Sequence, residues 1–532
     1  MRILNLKDNP LFIRCWYERM RFSVVVSAIT IMVLVVGLIF LSCYINQETL
    51  TVYDYYSKTH TPVPWLNFVF FYISIAQGVL IFFFGTRSIS VITSNEKMSG
   101  TLDLHRCSPI TRINQIIGLL LGAPILEWIV FFMAMLINFV ITLLSSIKIY
   151  DFIVLYLGMI LSVLLWHSLI MFFSLSSSKQ RNRLGVLSGF ILIFFFLPWI
   201  LTMRLSSITH LTVFPSYIQL YQSIIGFAQK VPPWRSVNDW NILHGFYGFK
   251  IATLPFQFMV QVPLLTLLIF GISRKISFDD RPVFSKIQSS ILFFLMIFYL
   301  TGSIITNTIY DSAMYNYYAY NYAILYVICF FVIALVLSFS ATPTHLIYSK
   351  GLRRVKKTGL SKFSLSDEAN SNLLWTVTIL YIASLFYALF CYYLAMPARY
   401  AVLVFFLLST QLILYTSAFE WFRLSAFRRK MAYFWTLIII LWLIVPILGF
   451  VTKPMVTAEF YEYYLSGLSP FFWSGQLLPK LWGPVSLTLL SVLITLVLIN
   501  GVLAMAAVLL AYKTRQSIQN SLSMEKFVYP VS

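Results

Sequence analysis

The feature that most constrains this chain is a series of apolar runs, each longer than the roughly 18 residues needed to cross a bilayer core. The clearest of them, residues 22–45, holds no charged side chain. Of the 532 residues, 59% are hydrophobic and only 11% charged, and mean hydropathy is +0.83. A soluble core cannot bury that much apolar surface. The runs do not alternate over stretches of about 10 residues, as barrel strands would, so the spans are helices. The first run also exceeds the roughly 7–15 residues of a signal-peptide core, and no small-x-small site closes it. It reads as a true first span. The expected fold is all-α: a polytopic membrane protein with about twelve transmembrane helices.

The twelve expected spans are 22–45, 65–85, 115–142, 152–175, 184–203, 251–273, 289–309, 319–340, 373–395, 400–418, 432–452 and 486–512. With the N-terminus inside, 29 of the 38 Lys and Arg residues fall on the inner side and 9 on the outer side. Basic residues collect on the cytoplasmic side of membrane proteins, so this bias supports the order of spans and places both termini in the cytoplasm. The net charge of +20 therefore reports orientation in a lipid bilayer, with no nucleic-acid partner. Five cysteines (Cys15, Cys43, Cys107, Cys329, Cys391) have no paired spacing, so neither a disulfide framework nor a metal site is expected.

The layout repeats. Each half has a basic inner loop after its second span (86–114 and 341–372) and another after its fourth (176–183 and 419–431). Each has a long outer loop rich in Pro and Trp (204–250 and 453–485) between its fifth and sixth spans, and each fifth span carries a late proline, Pro198 and Pro446. Residues 1–275 and 276–532 are read as two six-span units in parallel orientation. Short interfacial or re-entrant helices are expected in the long loops, because Trp and Tyr favour the membrane–water boundary.

Two polar segments stand out. At the N-terminus, Asn9 suits a helix cap and Pro10 the first turn. Leu11, Phe12, Cys15 and Trp16 form an apolar stripe on that helix, with Arg14, Glu18 and Arg21 on a polar one. The segment reads as an interfacial helix lying on the inner leaflet, or else as a basic flank that fixes topology. After the second span comes Asn95-Glu96-Lys97-Met98-Ser99-Gly100-Thr101-Leu102-Asp103-Leu104, followed by Cys107-Ser108-Pro109-Ile110. Gly100 is placed to stop one helix and Thr101 to cap the next. Asp103 falls in the first turn, where a negative charge suits the helix dipole. Ser108-Pro109 closes the element or opens the following one. Without further context this is also how an ordinary capped connector reads.

Taken in this order, the two segments resemble the type-2 exporter class of ATP-binding cassette (ABC) permeases. Those open with an elbow helix of the form N-P-x-x-x-R-E-x-x-x-R-M/L-R, matched here by Asn9, Pro10, Arg14, Arg19 and Arg21, with Cys15 at the usual acidic position. After the second span they carry E-x-x-S-G-T-L-D/E-L-x-x-x-S/T-P, matched by Glu96, Ser99, Gly100, Thr101, Asp103, Ser108 and Pro109. The match is specific over the first 130 residues and rests on span layout beyond them. The resemblance implies a transport subunit in the bacterial inner (plasma) membrane. Its coupling loop would contact separate cytoplasmic ABC ATPase subunits, which would bind ATP and Mg. The chain itself would hold no cofactor. One chain with two such units would form the full transmembrane domain. The second half lacks the Glu-Gly-Thr string. Its loop carries Arg353, Arg354, Lys356, Lys357 and Lys362 instead, read either as a contact for anionic lipid or as a plain basic flank.

Within the spans, Glu127 falls about twelve residues into the third expected span, near mid-bilayer at 1.5 Å per residue. A carboxylate there is a pathway candidate or a protonated helix–helix contact. His167 in the fourth span is a second pathway candidate, set against a packed polar residue. Pro124, Pro255 and Pro263 are read as kinks. The chain has no G-x-x-x-x-G-K-S/T, no H-E-x-x-H and no G-x-S-x-G, so no catalytic residues are assigned. The alternative reading is a twelve-span secondary transporter. A third is a lipid-linked glycosyltransferase, for which the outer loops offer only scattered acids: Asp54, Asp239, Glu459 and Glu462.

Overall fold

The computed structural model describes residues 9–47, 51–54, 59–62, 64–102, 107, 110–176, 209–228, 243–277, 284–310, 326, 330, 342–358, 370–393, 398–425, 434 and 487–528. Among these residues nine helices are long and apolar enough to cross a membrane. They coincide with nine of the twelve expected spans. Of the other three, 184–203 lies outside the described residues, and 319–340 and 432–452 do so except at Tyr326, Phe330 and Phe434; Pro198, Pro446 and the loop 453–485 lie outside as well. The protein is thus an all-α polytopic membrane protein. It divides into two compact units, Met1–Ser277 and Phe278–Ser532.

In the first unit a short helix α1 (Pro10–Arg19) precedes α2 (Phe22–Ile45). A hairpin follows, β1 (Thr51–Asp54) pairing antiparallel with β2 (Thr59–Pro62). Next is one continuous 34-residue helix, α3 (Trp65–Met98), interrupted only by a π-helical turn at Leu80–Gly85. At 1.5 Å per residue it is about 51 Å long, well beyond a bilayer core of about 30 Å. The expected inner loop from residue 86 is therefore largely a helical extension of the second span. Its sequence permits this, because Ser88, Ile89, Thr93 and Glu96 turn inward while the charged Arg87 and Lys97 lie to the side.

The third expected span differs too. Residues 115–142 are not one helix. α4 (Arg112–Gly122) ends at Ala123-Pro124 and α5 (Ile125–Leu144) begins after it. Pro124 has no N–H to continue the ladder and its ring clashes with the preceding turn, so the chain breaks there. α6 (Ile149–Ser176) completes the group. In the long loop 204–250, α7 (Phe214–Ala228) is the expected short helix. The hairpin of β3 (Leu243–Phe246) and β4 (Phe249–Ala252) was not foreseen. Its two turn residues, Tyr247 at φ 49° and Gly248 at φ 83°, both adopt left-handed backbone, the pairing a two-residue hairpin turn requires. α8 (Thr253–Ser277) carries Pro255 in its first turn, where no hydrogen bond is lost, and Pro263 inside.

The core of this unit is aromatic and aliphatic, with Phe70, Ile73, Ile81, Phe131 and Tyr156 at its centre. Amide side chains are buried within it. Tyr156 donates to Gln77 Oε1 at 2.6 Å, and Asn138 Nδ2 donates to the Tyr156 hydroxyl at 2.7 Å. Gln257 Nε2 donates to Ser162 at 2.9 Å and Gln261 Nε2 to the His210 carbonyl at 2.6 Å. Asp151 accepts from Gln219 at 3.1 Å and Ser223 at 2.6 Å, tying α7 to α6. In an apolar medium each such group is costly unless bonded, so these networks fix how the helices pair.

The second unit holds α9 (Lys286–Tyr310), α10 (His345–Thr358), α11 (Asn372–Tyr393), α12 (Ala398–Leu424) and the 42-residue α13 (Leu487–Val528). Tyr326, Tyr400, Phe293, Phe390 and Phe434 are its largest fully buried side chains among the described residues.

Candidate functional site

The two motif segments of the first unit meet. Asn9 caps α1, its Oδ1 accepting from the backbone N–H of Leu11 at 3.1 Å and Phe12 at 3.3 Å. Its Nδ2 also donates to the Asn114 carbonyl at 2.7 Å, which pins the start of α1 to α4. The two helices approach closely because α4 presents Gly118 and Gly122. A Cβ at Gly118 would lie 2.7 Å from Asn9 Oδ1, and one at Gly122 would lie 3.3 Å from the Phe12 backbone. Leu11 and Cys15 are buried in this contact, while Trp16 and Tyr17 are exposed. The expected apolar stripe is therefore divided: half of it packs on protein, and Trp16 faces outward.

Arg14 links α1 to the end of α3. Its Nη1 donates to Glu96 Oε1 at 2.6 Å, and its Nε donates to Glu18 Oε1 at 2.9 Å. Glu18 thus supplies, one turn later, the acid that Cys15 does not. The hydrogen bond to Glu18 chiefly, with the charge of Glu96 behind it, raises the Arg14 pKa above its ordinary value against the opposing effect of burial. Glu96 is buried and also accepts from the Thr101 hydroxyl. Thr101 was expected to cap the following helix. Its hydroxyl turns back to the Glu96 side chain and to the Glu96 carbonyl at 3.0 Å, and residues 103–106, whose N–H groups such a cap would bond, lie outside the described residues. Ser99 Oγ donates to the Asn95 carbonyl at 2.8 Å. Gly100 has φ +75°, the left-handed value that ends a helix and that a side chain rarely adopts. Lys97 Nζ donates to the Leu175 carbonyl at 2.6 Å, satisfying a bare carbonyl at the C-terminal end of α6. Asp103, Ser108 and Pro109 lie outside the described residues.

Glu127 is not a lone acid at mid-span. Because the helix restarts after Pro124, Glu127 falls in the first turn of α5. There Arg19 Nη1 donates to both of its oxygens, at 3.1 and 3.0 Å, and Ser88 Oγ donates to Oε1 at 2.5 Å. The position suits a carboxylate, since the helix N-terminus carries partial positive charge. α1 is thus held by a second ion pair. Arg21, by contrast, is exposed and starts α2 through its backbone carbonyl. His167 is brought to neither acid. It is fully buried against Trp128 and Gly85, and its Nε2 lies 3.2 Å from the Ile81 carbonyl in the π-turn. It is packed into the helix interface.

The second unit has a charged cluster that the sequence reading missed. Lys286, Glu420 and Arg515, from α9, α12 and α13, converge on the start of α11. Lys286 Nζ donates to the Asn370 carbonyl, Glu420 Oε2 accepts from the Asn372 N–H at 2.8 Å, and Arg515 Nη2 donates to the Asn370 carbonyl at 3.0 Å. Arg515 also pairs with Glu420 directly. The only sequence signal was that Lys286 and Glu420 stand at the ends of apolar runs. Among the described residues no group of His, Cys, Asp and Glu is arranged to hold a metal ion. Comparison with family models, curated proteins and solved structures finds no match.

Proposed function

We propose that this chain is the membrane-spanning permease subunit of an ATP-driven ABC exporter. It couples separate cytoplasmic ATPase subunits to outward transport across a bacterial inner membrane. The observation that carries the reading is the Arg14–Glu96 ion pair, which ties the N-terminal helix to the helix end bearing the Glu-x-x-Ser-Gly-Thr string. A push on that end would pass through α1 and α4 into the spans, because ion pairs and glycine contacts hold the parts together. The exposed Trp16 and Tyr17 suit an elbow helix at the inner leaflet. ATP and Mg belong to the partner. Differential binding of the ATPase to two membrane states supplies the drive.

In this reading the chain has twelve spans with both termini cytoplasmic, and its two units together form the transmembrane domain for two ATPase subunits, docked on 86–114 and 341–372. The second dock is built differently, since it is basic and lacks the acidic string. The test is co-expression with the ATPase encoded beside it. The chain alone hydrolyses no ATP, and the purified complex does. Glu96→Gln weakens the coupling of hydrolysis to transport. Failure of any ATPase to co-purify, or robust hydrolysis by the isolated chain, would overturn the reading. Native mass spectrometry that finds two copies of this chain per particle would remove the single-chain arrangement.

A further inference from the structure

The helix α10 has two unlike faces. Ile347, Tyr348 and Gly351 are buried. Tyr348, with Leu352, packs against Leu424 at the end of α12 and Ile518 of α13. Arg515 lies over the Tyr348 ring, its Cζ 4.7 Å from the centroid, and the same Arg515 is held by Glu420 and Asn370. The helix is therefore seated at a defined level. Glu420 is the first charge after the apolar stretch of α12, four residues before Leu424, and Lys513 is the first charge after the apolar stretch of α13. This is where two spans leave the apolar core.

The other face is exposed and basic. Lys350, Arg353, Arg354, Lys356 and Lys357 are all exposed there, together with Leu346, and the helix contains no acid. Beside its first residue lies a cavity of about 460 Å³, lined by polar His345, Ser425, Thr514 and Ser517 and by Leu424 and Ile518. The hydroxyls of Ser425 and Thr514 donate to helix carbonyls at 2.8 and 2.9 Å, so toward the cavity they offer acceptor lone pairs. Among the described residues no lysine, arginine or carboxylate lines it.

We propose that α10 and this cavity form a site for an anionic phospholipid whose headgroup carries free hydroxyls. The phosphodiester rests on the cations of α10, the headgroup hydroxyls donate to Ser and Thr oxygens, and the acyl chains follow the apolar ends of α12 and α13. The level of the helix at the membrane boundary selects lipid over a soluble anion. The inference rests on membrane embedding alone; it gives to lipid the basic face on which the exporter reading would seat a second ATPase subunit, and it leaves the first dock, at 86–114, untouched.

The test uses the full chain in nanodiscs containing equimolar phosphatidylcholine and phosphatidylglycerol, with retained lipids counted by native mass spectrometry. The wild type retains phosphatidylglycerol preferentially. The variant Lys350→Gln/Arg353→Gln/Lys356→Gln/Lys357→Gln changes only exposed positions and loses that preference. At about fivefold in affinity per near-surface cation, reduced by screening, the loss is at least about tenfold. Ser517→Leu fills the cavity and leaves the cations. In a second set of nanodiscs, with phosphatidylglycerol and phosphatidate equimolar, the wild type favours phosphatidylglycerol and Ser517→Leu retains both alike; no difference between the two proteins would overturn the role of the cavity. Equal retention of phosphatidylcholine and phosphatidylglycerol by the wild type, or an unchanged preference in the quadruple variant, would overturn the site. Displacement of the lipid by water-soluble glycerol phosphate would make it a soluble-anion site and overturn the lipid assignment. Loss of ATPase co-purification in the quadruple variant, with no lipid preference in the wild type, would assign the face to a protein and overturn it equally.

Discussion

Arg19 holds Glu127 by two hydrogen bonds from one guanidinium nitrogen, at 3.1 and 3.0 Å, across 108 residues of sequence. The Glu127 side chain is 12% exposed and that of Arg19 28%. Removing Arg19 leaves a largely buried carboxylate with Ser88 as its remaining hydrogen-bond donor, whereas removing both charges leaves two neutral amides. Arg19→Gln should cost about 2–3 kcal/mol, and Arg19→Gln/Glu127→Gln clearly less than the two single changes summed. Thermal unfolding of the four proteins in detergent measures this. Additive single losses would mean that the pair contributes little.

Gly100 should tolerate a side chain sterically but not conformationally. Nothing lies within 4 Å of where its Cβ would be, yet its φ is +75°. The left-handed conformation costs an ordinary residue about 1–2 kcal/mol, and a β-branched one more. Gly100→Val is expected to insert normally and to uncouple ATP hydrolysis from transport, while Gly100→Asn keeps most of the coupling. Normal coupling in the valine variant would remove the role proposed for the turn.

The seam between α1 and α4 should be intolerant of volume. Gly118→Leu drives a side chain into Asn9, whose Oδ1 is 2.7 Å from the Cβ position. Overpacking of this kind costs about 1–3 kcal/mol. Gly37→Leu, with nothing within 4 Å, is the matched control and should be neutral. Equal melting temperatures for the two variants would show that α1 is free to shift.

Cys15 gives a pH signature. Burial raises its thiol pKa from 9.0 to about 11. Between those values the unfolded state binds fewer protons than the folded one, so stability falls as pH rises from about 9 and levels off above about 11. Cys15→Ala should flatten this decline in a pH series of melting curves. At neutral pH a maleimide should label the exposed Cys107 well before Cys15. Equal labelling rates would contradict the buried placement.

Membrane sidedness can be read with single engineered cysteines. A membrane-impermeant reagent added outside should reach Phe249, exposed at the start of β4, and should miss Met98 and Arg354. The opposite pattern at any of the three would break the assigned topology.

The long apolar runs made most of the membrane helices legible, because a bilayer leaves a chain few other choices. The cap at Asn9-Pro10 and the left-handed Gly100 were legible for a similar reason, since each depends on neighbouring residues alone. What escaped was relational. Nothing near Glu127 announces Arg19, and nothing near Asn372 announces Glu420 or Arg515. The break at Pro124 was read as a kink, which moved Glu127 by half a span. The extension of α3 to Met98 was hidden because its inward residues, Ser88, Thr93 and Glu96, are polar, and Ser88 and Glu96 find their partners on other helices. The hairpin at Tyr247-Gly248 lacks the Asn-Gly or Asp-Gly pair that usually marks such a turn.

The π-turn at Leu80–Gly85 has a consequence for the helix that carries Glu96. Such a turn accommodates one residue more than regular α-helix, and one residue corresponds to about 100° of rotation. The stretches of α3 before and after the turn are therefore out of phase by that angle. A helical wheel drawn straight through Trp65–Met98 sends Glu96 to the wrong side. The extra residue works as a phase shifter: losing one residue between Leu80 and Gly85 would swing the acidic end away from Arg14 while leaving every contact before the turn in place.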